Sequence, residues 1–278
     1  MSRSGMDTVN AFLLDLDGVL LRGMEPLPGA AEFIDTLHAT GTPFLVMTNN
    51  ATSTPDQVAG RLNKMGVAVT PDDVYSSALA TVGWLQHRYP AGSRVLYVGE
   101  TGLRVALAGG GFELVDSHRD ADVVVTALDR TITYARLAEA ALAINAGCRF
   151  VATNPDRSIP TERGIEPGAG AIQAFLQATT GVAPTVIGKP ETAFFTLAIE
   201  RLGCSADETV MVGDRYDTDI LGGARAGVRT MAVLTGISTA QELTTAEFPP
   251  TWLFADLVEL LAAWSDTRLL SPEPTNHS

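Results

Sequence analysis

The sequence predicts an α/β fold built around a parallel β-sheet. Short apolar runs with the composition of strands alternate along the chain with segments that carry apolar residues at helical spacing. Most of the strand candidates are continuous apolar runs, which is typical of parallel strands buried on both faces. Stacked β-α-β units produce this alternation, so we expect helices packed around a parallel sheet.

Eight strands are expected, each an apolar run of the length that strands usually have. They lie at residues 11–16, 43–48, 94–98, 122–127, 149–153, 185–187, 209–213 and 229–234. Five helices are expected where apolar residues recur at helical spacing, and a glycine that can end the helix directly follows each of them. They lie at residues 28–40, 55–65, 134–146, 191–202 and 217–226. The last residues, 271–278, have no apolar pattern and are expected to be frayed.

Composition and charge exclude several classes of function. The chain has 278 residues, with 19 Lys and Arg against 32 Asp and Glu, and a net charge of −13. Nucleic-acid binding needs clustered basic residues, so we expect no nucleic-acid partner. The apolar runs are too short to cross a bilayer or to form a signal peptide, so we expect no membrane partner and a cytoplasmic location. Cys148 and Cys204 lie in apolar-patterned segments and are expected to be reduced packing residues.

Two carboxylates stand at the end of the first predicted strand, where residues 13–19 read LLDLDGV. Asp15 and Asp17 would lie at the carboxyl end of a parallel strand, where α/β proteins bind ligands. Neighbouring carboxylates repel unless they share a cation or a proton, and Mg²⁺ takes one or two carboxylates together with water and phosphate oxygens. By itself the motif also fits an ordinary turn, a fragment of a calcium loop or the metal site of a sugar-nucleotide enzyme.

A second acidic cluster follows the predicted strand 209–213, where residues 210–219 read VMVGDRYDTD. If the two strands are neighbours in the sheet, Asp15 and Asp214 can bind one ion. Asp219, at the start of the next helix, can then orient metal-bound water. Asp217 fits better as an acid at the N-terminus of that helix.

Two further strand ends supply groups that suit a phosphate. Residues 48–50 read TNN and follow the second strand, and residues 188–190 read GKP and follow the strand at 185–187. A hydroxyl, successive backbone N–H groups and an ammonium match what phosphoryl oxygens need as charge builds in the transition state. Lys189 precedes a proline that opens a helix, so its side chain is expected to face the same crevice.

Taken in this order, the DLDG, TNN and GKP motifs and the GD segment at 213–219 resemble the four motifs of the haloacid dehalogenase (HAD) superfamily. Within it the chain resembles the NagD-like branch, which includes p-nitrophenyl, phosphoglycolate, glycerol-phosphate and pyridoxal phosphatases. The resemblance runs from about residue 11 to about residue 260. It implies a Rossmann-like parallel-sheet core (the HAD fold), an inserted α/β cap domain and a Mg²⁺-dependent hydrolase of small phosphate monoesters.

The resemblance also implies a role for each motif residue. Asp15 is implied as the nucleophile that forms an aspartyl-phosphate, and Asp17 as the acid and base that protonates the leaving group and then activates water. The implied phosphate ligands are Thr48, Asn49 and Lys189, and Asn50 is a further candidate substrate-binding residue. The implied Mg²⁺ ligands are Asp15, the backbone carbonyl of Asp17, and Asp214, with Asp219 completing the metal site. The dehalogenases use neither an acid at the position of Asp17 nor a metal, which favours a phosphatase.

The stretch from Thr48 to Lys189 is far longer than the about 30 residues of a simple β-α-β unit. We therefore expect a core made of residues 1–79 and 185–278, with residues 80–184 inserted as the cap. A closing cap excludes all water except the attacking molecule and limits the size of the substrate, so the expected partner is a small phosphorylated metabolite. A homodimer formed through the cap is implied by the resemblance alone.

Specificity is expected from the cap loop after the strand at 149–153. Asn154, Asp156 and Arg157 are candidates to bind hydroxyl or carboxylate groups of the substrate, Arg157 in a bidentate manner. Ordinary turn chemistry also explains an Asn-Pro-Asp sequence. Pyridoxal phosphatases have a histidine where this chain has Ile159, which favours substrates of the phosphoglycolate, glycerol 3-phosphate or sugar phosphate type. Two alternatives stay open: phosphoryl transfer to an alcohol acceptor, and a non-catalytic metabolite-binding protein on the same fold.

Overall fold

A computed structural model describes residues 4–270, and the tail at 271–278 that we expected to be frayed lies outside the described residues. The strands are β1 (Ala11–Asp15), β2 (Leu21–Arg22), β3 (Glu25–Pro26), β4 (Phe44–Thr48), β5 (Val74–Ser76), β6 (Arg94–Val98), β7 (Glu113–Val115), β8 (Val123–Thr126), β9 (Arg149–Ala152), β10 (Ser158–Thr161), β11 (Gly164–Pro167), β12 (Thr185–Val186), β13 (Thr209–Gly213), β14 (Arg229–Val233) and β15 (Trp252–Phe254).

The helices are α1 (Ala30–Ala39), α2 (Pro55–Lys64), α3 (Ser77–Gln86), α4 (Thr101–Gly109), α5 (Tyr134–Asn145), α6 (Ala169–Thr180), α7 (Thr192–Leu202), α8 (Leu221–Arg225), α9 (Ala240–Thr245) and α10 (Leu257–Leu270). Short 3₁₀ turns lie at Met6–Thr8 and Pro71–Asp73, and a π-helical turn at Tyr216–Ile220 leads into α8. Within residues 4–270, no helix is both long enough and apolar enough to cross a bilayer.

The chain divides into two compact units. Unit 1 comprises Met1–Val46, Gly60–Val69 and Ile199–Ser278, and unit 2 comprises Met47–Ala59 and Thr70–Ala198. These bounds differ from the predicted core and cap, because unit 2 also takes in the segment around the TNN motif and the segment around Lys189. The division into a core at 1–79 and 185–278 and a cap at 80–184 stays a prediction.

Unit 1 contains a parallel sheet whose strands follow in the order β15-β14-β13-β1-β4. β1 and β13 are direct neighbours, with Leu14 opposite Val212, so the two strands that carry the acidic motifs end side by side. The sequence left this neighbour relation open. All five residues of each of these strands are buried, as expected for central parallel strands.

Aromatic side chains fill the core of unit 1 between the sheet and two helices. The ring of Phe12 on β1 meets the rings of Phe33 on α1 and Trp264 on α10 edge to face, with centroid distances of 5.3 Å and 5.0 Å. Edge-to-face pairs of this kind add about 0.5–1.5 kcal/mol each to the burial of the rings. This packing holds β1, and with it the first acidic motif, in a rigid position.

Unit 2 contains its own parallel sheet, in the strand order β12-β9-β8-β6-β7. Helices α5 and α6 pack against its apolar side, and the core residues there include Leu96, Val124, Ile144, Phe150 and Leu176. An antiparallel hairpin of β10 and β11 pairs Ser158 with Pro167 and Thr161 with Gly164. Residues 149–156 run from β9, which lies between β12 and β8, directly into the predicted specificity loop.

All eight predicted strands and all five predicted helices are present, with ends within one or two residues of those expected when the helix predicted at 217–226 is taken as the π-helical turn together with α8. Helices α3, α4, α6, α9 and α10 and seven short strands were not predicted. Helix α3 was missed because it is apolar on nearly every side. Its buried residues include Ala78, Thr81, Val82, Trp84 and Leu85, so no polar stripe marks the helical period. Together, the two sheets and their helices confirm the α/β fold class.

Candidate active site

Three buried carboxylates meet at the carboxyl end of the sheet in unit 1. Asp15 ends β1, Asp214 directly follows β13 and Asp219 lies in the π-helical turn, and their exposed fractions are 8%, 2% and 1%. One carboxylate oxygen of each lies within 4.8 Å of the others. Carboxylates removed from water at this separation need a cation or shared protons to offset their repulsion. Oxygen ligands of this hard type fit Mg²⁺.

Asp214 lies in a slot between two glycines that leave no room for a side chain. A Cβ on Gly18 would lie 2.4 Å from Asp214 Cγ, and a Cβ on Gly236 would lie 1.7 Å from Asp214 Oδ2. The Ile237 N–H donates to Asp214 Oδ2 over 2.8 Å, and the Ser238 N–H donates to the Asp214 carbonyl oxygen over 3.0 Å. The loop 235–238 after β14 therefore fixes the orientation of the Asp214 carboxylate.

Asp219 and Asp217 face opposite ways in the π-helical turn. Asp219 is buried against Gly213, where a Cβ would lie 2.2 Å from Asp219 Cβ, and its Oδ2 accepts the Arg215 N–H over 3.2 Å. Asp217 is exposed, and its Oδ2 accepts a hydrogen bond from Arg215 Nη2 over 2.8 Å. Asp219 thus joins the buried acids and Asp217 does not.

Asp17 lies two residues beyond the end of β1 and is exposed, outside the cluster of three buried acids. Its backbone pairs with Leu21 at the start of the β2–β3 hairpin. Gly18 has a φ of 96°, a conformation that favours glycine, and its N–H donates to the Leu21 carbonyl oxygen over 2.7 Å. The chain therefore turns sharply here, and the turn leaves the Asp17 side chain in contact with solvent.

In unit 2, Thr48 and Asn50 form the turn that follows β4. The Thr48 hydroxyl oxygen is buried and accepts the Asn50 N–H over 3.1 Å. Asn50 Oδ1 in turn accepts the N–H and the hydroxyl of Thr52, over 2.8 Å and 2.7 Å. The side chain of Asn50 is thus part of the loop structure, as an Asx turn.

Asn49 and Lys189 are joined by a pair of hydrogen bonds. Lys189, 3% exposed, donates its backbone N–H to Asn49 Oδ1 over 2.9 Å, and Asn49 Nδ2 donates to the Lys189 carbonyl oxygen over 3.0 Å. Asn49 Nδ2 also donates to Asp156 Oδ2 over 3.2 Å. Three predicted site residues from distant parts of the sequence therefore meet in unit 2.

The other predicted residues of the cap loop differ in their surroundings. Asn154 is 4% exposed, and its Nδ2 donates to the Asn49 carbonyl oxygen over 2.8 Å. Asn154 Oδ1 accepts the Asp156 N–H over 3.1 Å, whereas Arg157 is exposed.

The sequence analysis missed two groups of residues around these predicted positions. Gln173 on α6 donates its side-chain N–H to the Asn154 carbonyl oxygen, and no sequence signal pointed to this residue because α6 was not predicted. The loop 235–238 was missed as well, although the Thr-Gly pair that directly follows a predicted strand was a usable signal.

Comparisons with known proteins agree with the motifs. The family model described as haloacid dehalogenase-like hydrolase matches residues 12–113, and a second HAD-hydrolase-like model matches residues 186–260. Acid sugar phosphatase from Staphylococcus epidermidis is 43% identical over 252 residues, which cover 91% of this chain and 96% of that protein.

Solved structures give the same result. A thermostable NPPase double mutant from Geobacillus stearothermophilus is 40% identical with a TM-score of 0.83, covering 90% of this chain and 97% of its own. Glycerol phosphate phosphatase from Mycobacterium tuberculosis, in complex with magnesium, is 38% identical with a TM-score of 0.86, covering 98% of this chain and 82% of its own. The chain therefore belongs to the haloacid dehalogenase-like hydrolases, in the NagD-like branch of phosphatases that act on small phosphate monoesters.

Proposed function

We propose that this phosphatase is Mg²⁺-dependent and works through an aspartyl-phosphate on Asp15. Its substrates are phosphate monoesters of the phosphoglycolate, glycerol 3-phosphate or sugar phosphate type, and p-nitrophenyl phosphate serves as an artificial substrate. The observation that carries the proposal is the meeting of Asp15, Asp214 and Asp219 at the ends of neighbouring strands, buried and within 4.8 Å of one another. The names of the acid sugar phosphatase and glycerol phosphate phosphatase relatives support a small phosphorylated substrate.

The same three carboxylates, with the backbone carbonyl of Asp17, would hold the Mg²⁺ ion. They fit it because they are hard oxygen donors and because Asp214 is fixed in one orientation by the Ile237 N–H. Bound there, Mg²⁺ supplies positive charge that offsets the negative charge of the phosphoryl oxygens. The magnesium complex of the glycerol phosphate phosphatase relative supports this choice of metal.

The two carboxyl groups of the DLDG motif have different roles, Asp15 as nucleophile and Asp17 as acid and base. The Asp15 carboxylate attacks phosphorus, so an acyl-phosphate bond forms as the bond to the leaving alcohol breaks, and water later cleaves the acyl phosphate to release phosphate. Asp17 gives a proton to the leaving oxygen and takes one from the attacking water. The proton that Asp17 takes from the attacking water replaces the one given to the leaving oxygen, so Asp17 regains its starting protonation state at the end of each turnover.

Thr48 and Lys189 are proposed to hold the phosphoryl oxygens. The Thr48 hydroxyl oxygen accepts the Asn50 N–H, which directs the hydroxyl hydrogen away from the loop for donation to a phosphoryl oxygen. The Lys189 ammonium adds a positive charge, and a charged donor in a site shielded from water is worth far more than in solution.

The test is phosphate release from a panel of esters, measured with Mg²⁺ and with EDTA. The panel contains p-nitrophenyl phosphate, 2-phosphoglycolate, glycerol 3-phosphate, pyridoxal phosphate and sugar phosphates. We expect release that requires Mg²⁺ and returns when Mg²⁺ is added back after EDTA. Full activity in EDTA would contradict the metal, and transfer of phosphate to an added alcohol in preference to water would contradict hydrolysis.

The organisation of the molecule is proposed in the same terms. Residues 80–184 form the cap over a core of 1–79 and 185–278, the cap mediates a homodimer, and the protein acts in the cytoplasm. Light scattering at working concentrations tests the dimer, and a monomer would contradict it.

A further inference from the structure

We propose that the side chain of Asn49 positions Lys189 and does not itself bind the substrate. In this arrangement Asn154 and Gln173 hold Asn49 in place, so that these residues form one hydrogen-bonded clamp around the lysine. The inference rests on the proposed function, because it needs Lys189 to act on the phosphoryl group. It replaces the expectation that Asn49 and Asn154 recognise the substrate directly.

The first argument is that the Asn49 side chain already uses its hydrogen-bonding groups within the protein. A carboxamide has two N–H donors and one acceptor oxygen. Its Nδ2 donates to the Lys189 carbonyl oxygen over 3.0 Å and to Asp156 Oδ2 over 3.2 Å, and its Oδ1 accepts the Lys189 N–H over 2.9 Å. A phosphoryl oxygen only accepts hydrogen bonds, so Asn49 would have to break one of these bonds to bind it.

The second step is the geometry of the pair of bonds. Because Asn49 engages both the N–H and the C=O of Lys189, it fixes the backbone of that residue as a neighbouring strand would. This sets the direction in which the long, flexible lysine side chain starts, and so reduces the freedom lost when its ammonium binds phosphate. Gly188 makes the approach possible, because a Cβ there would lie 2.6 Å from Asn49 Oδ1.

The third step is how Asn49 itself is held. Its carbonyl oxygen accepts the Ser77 hydroxyl over 2.7 Å and Asn154 Nδ2 over 2.8 Å. Asn154 Nδ2 also donates to Thr153 Oγ1 over 3.3 Å, so both of its donors are engaged within the protein. Gln173, 5% exposed, then donates to the Asn154 carbonyl oxygen. The clamp is thus anchored in helices α3 and α6.

A positioning role and a substrate-binding role predict different kinetics. A residue that contacts the leaving group changes the relative kcat/KM of different esters. A residue that acts through Lys189 lowers kcat/KM by the same factor for every ester, because all of them share the phosphoryl group. Its loss also adds little once Lys189 is gone, since residues that act as a unit are not additive.

The experiment compares Asn49→Ala, Lys189→Ala and the double variant on p-nitrophenyl phosphate and glycerol 3-phosphate. For Asn49→Ala we expect kcat/KM to fall about 100-fold on both esters, which is the effect of displacing a catalytic group by about 1 Å. The double variant is expected to match Lys189→Ala alone. If activity of Lys189→Ala is below detection, Lys189→Arg takes its place, because only the additivity of the two losses separates positioning of Lys189 from direct binding of the phosphoryl group.

Asn63→Ala is the matched control. Asn63 makes the same kind of paired contact in unit 1, where its Nδ2 donates to the Val69 carbonyl oxygen over 2.7 Å and its Oδ1 accepts the Val69 N–H over 3.2 Å. Its loss is expected to lower the melting temperature and to leave kcat/KM unchanged. If Asn49→Ala does not fold, Gln173→Ala removes only the outermost bond of the clamp and is expected to give a smaller, equally uniform loss.

Two results would overturn the inference. One is a change in the ranking of the two esters in Asn49→Ala, or in Gln173→Ala if it takes its place. The other is a double variant whose loss is the product of the two single losses. An inactive wild-type protein, or a Lys189→Ala variant with unchanged kcat/KM, would overturn the proposed function instead, so the two failures are distinguishable.

Discussion

The acidic cluster of unit 1 and the lysine cluster of unit 2 are positioned by different means. In unit 1 the backbone positions the acids, because β1 and β13 pair in register and glycines leave space for the carboxylates of Asp214 and Asp219. In unit 2 the side-chain amide of Asn49 makes two hydrogen bonds to the backbone of Lys189, which lies 140 positions away in the sequence. Strand pairing places a group within a rigid sheet, whereas an amide clamp ties together loops that no shared element connects.

The largest loss of activity is expected at Asp15, the proposed nucleophile in unit 1. Asp15→Asn should lower kcat by roughly 10⁴- to 10⁶-fold, because the amide cannot form the acyl phosphate. Phosphate release with Mg²⁺ measures this, and the melting temperature checks that the fold is kept. Asp217→Asn is the matched control, since Asp217 is exposed and paired with Arg215, and it should remain active. Wild-type turnover by Asp15→Asn would remove the nucleophile assignment.

A smaller loss of activity is expected when the Lys189 cation in unit 2 is removed. Lys189→Ala should lower kcat/KM about 10²- to 10³-fold, which is typical for removing one group that stabilises charge in a transition state. Binding of Mg²⁺ alone, measured by calorimetry, should stay unchanged because the proposed metal ligands lie in unit 1. A loss of Mg²⁺ affinity in this variant would show that the two clusters are not separable in this way.

The glycine slot in unit 1 is tested by Gly236→Ala. The new Cβ would lie 1.7 Å from Asp214 Oδ2, so the carboxylate must move and lose the Ile237 N–H. We expect Mg²⁺ binding to weaken by about 10- to 100-fold, the usual effect of losing a group that orients a metal ligand. Titration calorimetry measures this, with Gly60→Ala as control, because a Cβ there meets no described atom within 4 Å. Equal Mg²⁺ affinity in the two variants would contradict the slot.

The smallest expected effect is on the melting temperature, and it concerns Glu139 in unit 2, away from Lys189. The pKa of Glu139 lies below its usual value because the His118 backbone N–H donates to its carboxylate over 2.7 Å and the His118 ring bonds to it as well. A carboxyl group whose pKa is lower in the folded state stabilises the fold at pH values above its unfolded pKa. This stabilisation is lost as the pH falls through the folded pKa. The melting temperature of wild type should therefore exceed that of Glu139→Gln at neutral pH, and the difference should vanish in acid. A difference that grows in acid would contradict the sign.

Some features of the fold and of the candidate site could be predicted from the sequence alone. The strand ends that carry Asp15, Asp214 and Thr48 were correct because a buried parallel strand is a continuous apolar run, which is visible locally. Helices α3, α4, α6, α9 and α10 were missed, and with α6 went Gln173. In α3 the reason is that a helix that is apolar on most sides shows no period. The different roles of Asp219 and Asp217 were predicted, whereas the π-helical turn that holds the two side chains apart was not.

The sequence by itself determined the fold class, the family and the residue types at the strand ends, because these depend on local patterns of apolar, acidic and glycine residues. Only the tertiary structure decided that β1 lies beside β13, that Gly236 and Ile237 fix Asp214, and that the Asn49 side chain is engaged by Lys189. These are contacts between residues far apart in the chain. A hydrogen bond across such a distance leaves no periodic trace in the sequence, since either partner alone is an ordinary loop residue.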